Sequence, residues 1–551
     1  MYALLGVLPI LCAIVLMLGF NQKASISMFL AWLMTSVVAF IFWHLHLDHL
    51  LTYTLFGFLS AVDVLFIIFS AIFLLNTLKH LGFLATISRG FDGITQDRRI
   101  QILIISWAFG ALMEGAAGFG TPAALAAPLL VSLGVPTFFA ALASLMANPP
   151  ANLFGAVGTP TTVGFSSISA GLAQVMGSDT TALLFRQMNS RIALMNFLPA
   201  TLMPFVIICF VVAHDGRKEG LKNAINILPF ALFSGLAFSV PALLMALLGP
   251  ELPTLVGSLM ALLLIILATK LGFLVPKRVY RFMDDPLMPP TSLDEVGTPL
   301  WVAWSPYALI ATLLIISRVP QFHVSALLSS ERVTVTLVNL FGFDNITWRW
   351  AFLKNPGVFP FLPTALLFLV IRKTSPRVIT SLTKDTLIQL KHASIALVFG
   401  FAMVQLMRFT DYSLLRLDSP PLLGPMTTEM ASVLARFAGG FYPLISPLIG
   451  VLGAFVSGSS TVSNVMFFGL QADTAQLLGL PVGLVLSAQA IGGSIGSMLS
   501  INNVIAVCVT TRAEGSENKL IKGAILPALF YSGLISLTMY FILYIGVLWI
   551  L

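Results

Sequence analysis

The sequence predicts an all-α polytopic membrane protein of about 12–14 transmembrane helices, with two inverted repeats that contain re-entrant or broken helices. Three observations lead there. Of 551 residues, 58% are apolar and only 9% charged, against about 25% charged in soluble domains. Apolar runs of about 20 residues, the length that crosses a bilayer as a helix, recur from end to end. Two stretches rich in Gly, Ser, Thr and Asn interrupt those runs in matching order. A soluble enzyme is excluded by composition, and an outer-membrane barrel by long uncharged runs where ten-residue alternation would be required.

Taken in order, the candidate spans lie near 3–20, 25–43, 55–78, 100–113, 123–134, 137–170, 191–213, 226–248, 253–275, 300–317, 351–371, 388–407, 438–456, 464–480, 482–510 and 523–551. Not all need cross the bilayer. The first run has no basic segment before it and no small-residue cleavage site, so it reads as a retained helix and not a signal peptide. The net charge of +7 comes from Lys and Arg in short clusters between runs, with no basic domain large enough to dock a nucleic acid duplex. The clusters lie at 79–99, 217–222, 270–281, 372–391 and 512–522, and by the positive-inside rule they face the cytoplasm. Connections at 44–49 and 249–253 carry no Lys or Arg, which places both termini outside. Cys12, Cys209 and Cys508 lie far apart in apolar surroundings, so neither a disulfide framework nor a metal site is expected. The whole chain, 1–551, reads as one integral membrane domain, with repeats at approximately 55–250 and 388–551 and intervening helices and loops at 251–387.

The first interruption is EGAAGFGTP (Glu114 to Pro122), followed by ANPPANLFGAVGTPTTVG (Ala147 to Gly164). The second is SGSSTVSN (Ser457 to Asn464), followed by IGGSIGSMLSINN (Ile491 to Asn503). Backbone that is not helical is tolerated at membrane depth only where protein or a polar cavity satisfies its N–H and C=O groups. Gly110 to Gly115 can be laid on Gly453 to Gly458, and Leu133 to Pro136 on Leu478 to Pro481, with a two-residue slip. The chain enters the first motif from a basic inner loop and the second from the outer side, so the copies are inverted. Secondary transporters hold substrate near the midplane between half-helix ends of such copies. Close helix packing through small residues, as Gly492 and Gly496 in a GxxxG spacing allow, is the other reading.

Charge is so scarce that each remaining acid is informative. Glu114 is the one charged residue between Gln101 and Ser178, and an intramembrane acid is a functional candidate. Two readings fit it: a carboxyl that exchanges a proton near neutral pH, or a structural carboxylate paired with an Arg or bonded to the glycine-rich backbone. Asp473 reads as a solvated loop residue and Asp63 as a bundle-facing structural one. The hydroxyls and amides of Ser459, Ser460, Thr461, Ser463 and Asn464 suit a carboxylate or a small cation, and helix N-termini supply further N–H donors. Arg186 is a candidate counter-ion; Arg191, Arg408 and Arg436 read as snorkelling residues. His44, His46 and His49 lack metal-site spacing, and Ser459-Ser460 lacks the GxSxG setting of a hydrolase. No P-loop suggests an ATP-driven pump.

At these motifs the chain resembles the bacterial L-lactate permease family. The resemblance runs from Ile94–Pro122 through GTPTTVG, FRQ (Phe185 to Gln187), GPELP (Gly249 to Pro253), SGSSTVSN and GGSIGSM to TTRAEGSENKL. It implies a secondary active carrier of L-lactate, D-lactate or glycolate in the bacterial inner membrane, working by H+ symport and alternating access, and neither an enzyme nor a cofactor protein. Carried over by position, Glu114 would couple the proton. Gly115, Gly118, Gly120, Thr121, Ser459, Ser460, Thr461, Asn464 and Ser497 would contact the substrate. This chain departs from the family pattern in having Ser460 in place of an acidic residue, Ser497 in place of a lysine, and Ile501-Asn502 in place of Pro-Gln. The opposite charges are lost together, which leaves no orphan charge. The departure keeps open a different organic anion or Na+ coupling, and glycine-rich re-entrant loops also occur in channels. Whether the chain forms a homo-oligomer stays open.

Overall fold

A computed structural model describes residues 2–545 apart from 17–19, 21, 92–93, 119–120, 214, 216–219, 283–297, 319–322, 341–347, 355–357, 411–423, 512 and 514–515. The chain is an all-α polytopic membrane protein. Its helices are α1 (Tyr2–Ile14), α2 (Ala24–Phe42), α3 (Leu47–His80), α4 (Phe83–Arg89) and α5 (Arg98–Ile102). A π-helical turn, Leu103–Phe109, leads into α6 (Gly110–Ala117), α7 (Thr121–Ser132), α8 (Thr137–Asn152), α9 (Gly155–Met176) and α10 (Ser178–Ala213). Then come α11 (Gly220–Ile225), α12 (Leu228–Ala246), α13 (Pro253–Leu271), α14 (Leu300–Arg318) and α15 (Val324–Leu328). A small antiparallel pair, β1 (Val335–Leu337) and β2 (Trp348–Trp350), precedes α16 (Phe361–Ile371), α17 (Pro376–Arg408) and α18 (Met426–Ala438). The chain closes with α19 (Tyr442–Ser457), α20 (Ser460–Leu477), α21 (Val482–Leu499), α22 (Ile501–Thr511) and α23 (Glu517–Ile545).

Among the described residues nine helices are long and apolar enough to cross a membrane, or ten with the pair Pro376–Lys391 and Ser394–Arg408, bent by 46°, taken as one span. The apolar runs at 137–170 and 482–510, each holding one of the Gly-, Ser- and Asn-rich stretches, are broken in the structure. The run at 137–170 divides between α8 and α9 after Pro149 and Pro150, which remove the N–H groups a continuing helix needs. The run at 482–510 divides at Ser500, which is extended at φ −64° and ψ 137°.

The buried apolar side chains form two clusters. One unites α1, α2, α3, α17 and α18 with parts of α20; the other runs through α4 to α13 and α19 to α23. Within the first, α3 and α17 touch backbone to backbone, since a Cβ on Gly57 would lie 2.5 Å from Ala402 Cα. In the second, α19 lies so close to α21 that a Cβ on Gly492 or Gly496 would run into the carbonyls of Pro447 and Val451; these two glycines serve packing. Within the second cluster α7 packs on α22 and α8 on α21, and α9 packs on α20, which joins it to the first.

One end of the molecule is tied by a buried ion pair. Arg99, 2% exposed, donates to both carboxylate oxygens of Asp97 at 3.0 and 2.6 Å, and to the carbonyls of Asn223 and Arg278 at 2.6 and 2.9 Å. Asp97 also accepts from the Tyr280 N–H at 3.2 Å. Three basic connections are thereby joined by one guanidinium, so part of the predicted topology signal is also structural.

Candidate functional site

The first broken segment is shaped by glycines and prolines. After the π-helical turn, α6 ends at Ala117, and Gly118 takes φ 62° and ψ −159°, a conformation essentially confined to glycine. A side chain there would also strike Ala156, 2.7 Å from the position of a Cβ. Beyond α8 the chain makes a left-handed turn through Ala156 (φ 41°), Val157 (φ 58°) and Gly158 (φ 76°). Non-glycine residues in that region are strained by about 1–3 kcal/mol each, and surrounding contacts hold them. Carbonyls released by the break are taken up from neighbouring helices: Ser494 Oγ donates to Pro149 O at 2.5 Å and Thr254 Oγ1 to Ala151 O at 2.7 Å, and just beyond the turn Asn464 Nδ2 donates to Pro160 O at 3.0 Å. Irregular backbone at membrane depth is thus satisfied by protein.

The second broken segment starts where α19 ends at Ser457. Gly458 is left-handed at φ 75°, and Ser459 caps α20, its hydroxyl accepting from Val462 N at 3.4 Å. Inside the α19–α21 layer a chain of buried hydrogen bonds fixes α20. Tyr442 Oη donates to Gln471 Oε1 at 2.5 Å, Gln471 Nε2 to Gln489 Oε1 at 2.8 Å, Gln489 Nε2 to Ser463 Oγ at 3.2 Å, and Ser463 Oγ to Gly450 O at 2.9 Å. Each member satisfies the next, which keeps a polar network tolerable in an apolar layer.

The two segments meet around a cavity of about 440 Å³ lined by Glu114, Gly118, Asn148, Asn152, Gly155, Ser457 to Val462, Ser497 and Asn503, with Lys23 and Ser25 among the lining residues. That volume is in the range of small-ligand sites. Asn152 joins the two halves: its Nδ2 donates to Ser497 Oγ at 2.8 Å and its Oδ1 accepts from Ser460 Oγ at 3.1 Å. Ser460 and Ser497 are therefore linked through one amide. Ser497 Oγ passes its own proton to Ser494 O at 2.7 Å, and its carbonyl accepts from Asn503 Nδ2 at 2.8 Å.

Glu114 is 1% exposed, and no Lys, Arg or His among the described residues pairs with it. Its Oε2 has no hydrogen-bond partner among the described residues. The carboxyl lies on the bare backbone of Gly155, where a Cβ would collide with Oε1. Asn148 Oδ1 is likewise buried without a partner among the described residues. Buried acceptors of this kind call for a donor, and both residues line the cavity. Facing them is the N-terminus of α20, whose first N–H groups have no partner within the helix and carry partial positive charge. Lys23, exposed, is the one cation lining the cavity among the described residues. The arrangement offers N–H, hydroxyl and ammonium donors to an anion and unpaired acceptors to a donor group.

Of the residues selected from sequence, Glu114, Gly118, Ser459, Ser460, Thr461 and Ser497 line this cavity. Gly115 faces α13, with the place of a Cβ 3.0 Å from Leu255 N. Asn464 holds α20 against α9 one turn beyond Ser460. Arg186 is exposed on α10 and does not line the cavity. Gly120 and the side chains of Thr121 and Asp63 lie outside the described residues. Arg408 tucks against α9, donating to Ser167 O at 3.1 Å, and Asp473 accepts from Thr428 Oγ1 at 3.1 Å near the end of α20. Asn148, Asn152, Gly155 and Lys23 were not among the residues selected. The first three stand in the interrupted stretch Ala147 to Gly164 and carried that signal; Lys23 carried none.

A sequence model of the L-lactate permease family matches residues 2–546. The chain is 29% identical to the putative L-lactate permease of Haemophilus influenzae, over 96% of each protein. It is 30% identical to the L-lactate permease of Streptococcus iniae over 87% of this chain and 92% of that protein. With the glycolate permease GlcA of Escherichia coli it shares 28% identity over 97% and 94%.

Proposed function

The chain belongs to the L-lactate permease family, a family of transporters and not of enzymes, and from that premise we propose that it takes up a small 2-hydroxy monocarboxylate, L-lactate, D-lactate or glycolate, by H+ symport. Relatives named for lactate and for glycolate support that substrate class. The observation that carries the reading is the cavity between the two broken segments, with an unpaired buried carboxyl on one side and a helix N-terminus on the other. The substrate carboxylate takes the N–H groups at the start of α20 and the hydroxyls of Ser459 and Thr461, while the Ser460 hydroxyl keeps its proton on Asn152 Oδ1. Its 2-hydroxyl donates to Asn148 Oδ1, a contact that a carboxylate without the hydroxyl leaves unmade. Glu114 takes up the coupled proton, and Lys23 draws the anion towards the site.

Alternating access follows from two inverted repeats. Support for the repeats comes from the order helix, glycine break, helix, long helix, break, which α6–α9 and α19–α22 share, and from the exchanged packing of α7 on α22 and α20 on α9. The inner membrane with both termini outside is the placement that fits the basic clusters.

Purified protein in liposomes tests the coupling. An inward lactate gradient should acidify the lumen, and transport indifferent to the proton gradient, or driven by Na+ instead, would refute H+ symport. Glu114→Gln keeps the shape and removes the titratable group. It should abolish accumulation against a gradient while lactate exchange continues; undiminished accumulation would remove Glu114 from the mechanism.

A further inference from the structure

A second cavity, of about 210 Å³, opens between α10, α12, α21 and α23, away from the residues that line the substrate cavity. Its walls include Leu194, Leu243, Leu244, Leu247 and Leu543, with Arg191 among them and no carboxylate among the described residues. Arg191 is half-buried and makes no hydrogen bond or ion pair among the described residues. Its guanidinium rests on Gly483 in the first turn of α21, where a Cβ would lie 2.8 Å from Nη1. A guanidinium held against backbone without an anion is an incomplete arrangement, because its five donors favour a planar bidentate acceptor such as phosphate. The height is right for a headgroup: roughly 33 Å of helix at 1.5 Å per residue separates Arg191 from the end of α10, close to the hydrocarbon thickness of about 30 Å. Leu243, Leu244 and Leu247 stand at the same end, in the last turns of α12 and at its C-cap.

From the unpaired cation and the leucine walls we infer that this groove is a binding site for an anionic phospholipid. The headgroup phosphate pairs with Arg191, and an acyl chain lies along the leucines of α12 and α23. The lipid bridges α10, α12, α21 and α23, and α21 carries Ser497 of the substrate cavity towards its other end. The site does not depend on which anion the transporter carries.

Native mass spectrometry of the full chain in detergent, titrated with dioleoylphosphatidylglycerol or dioleoylphosphatidylcholine, tests the assignment. The glycerol lipid should bind about tenfold more tightly, as expected for one charge-assisted contact. Arg191→Gln should remove that preference, and Leu244→Trp, which fills the groove but keeps the cation, should weaken both lipids. Equal binding of the two lipids by the wild-type protein, or a preference that survives Arg191→Gln, would overturn the inference. If Arg191→Gln does not fold, Leu244→Trp carries the test through melting temperature. The wild-type protein should be stabilised more by the glycerol lipid than by the choline lipid, the variant should lose that difference, and inorganic phosphate alone should have no effect. A difference retained in the variant, or an equal response to phosphate, overturns it.

Discussion

Replacing Asn152 by Ala isolates the contact that joins the two broken segments. The amide makes two hydrogen bonds, at 2.8 Å to Ser497 and 3.1 Å to Ser460. At a net 0.5–1.5 kcal/mol each, their loss costs about 1–3 kcal/mol. If the bridge stabilises one access state over the other, that is about a 5- to 150-fold shift between the two. Asn152→Asp should be worse than Asn152→Ala. Ser497 Oγ already gives its proton to Ser494 O, so a carboxylate oxygen would meet a lone pair where the amide had offered an N–H. Ser497→Lys in the Asn152→Asp background should then restore stability by supplying a cation to the new charge. The assay is a double-mutant cycle read by melting temperature in detergent and by the KM for lactate uptake. Wild-type melting and KM in Asn152→Ala, or additive effects of Asn152→Asp and Ser497→Lys, would refute the reasoning.

Other consequences follow from the same geometry. Gly155→Ala places a methyl against the Glu114 carboxyl and should cost about 1–3 kcal/mol as overpacking; shortening the acid with Glu114→Asp in the same chain should recover part of the uptake, measured as initial rates. Asn148→Leu removes the acceptor assigned to the substrate hydroxyl. In competition assays, lactate should lose about tenfold of its advantage over propionate, and an unchanged ratio would reassign the hydroxyl contact. Arg99→Ala leaves Asp97 buried without its partner and should destabilise the fold by about 3–5 kcal/mol. Arg99→Lys should rescue little of the melting temperature, because one ammonium cannot reproduce two bonds to the carboxylate and two to carbonyls.

Much of the site was legible from single positions. Glu114 stood out because an acid in a long uncharged run has to be explained, and the glycine-rich stretches marked where helices end inside the membrane. Gly115 and Gly118 illustrate the limit. Three residues apart in one motif, one supports close packing on α13 and the other makes the turn at the cavity. Which face of a short half-helix meets the cavity is set by its neighbours and not by its own composition. Arg186 and Lys23 make the same point with charge. Arg186 flanks a span and reads as a counter-ion, yet it is exposed away from the cavity; Lys23, before α2, lines it.

Hydropathy and charge along the chain determined by themselves that this is a membrane protein of many helices, where its helices break, and which acid is isolated, because bilayer thickness and the energy of burying polar groups act on local sequence. The tertiary structure alone decided that Asn152 connects Ser460 and Ser497, residues 308 and 345 positions away from it, and that Glu114 rests on Gly155 with no cation paired to it among the described residues. Hydrogen bonds across such separations depend on how helices from both halves of the chain pack, and local periodicity carries no record of that packing.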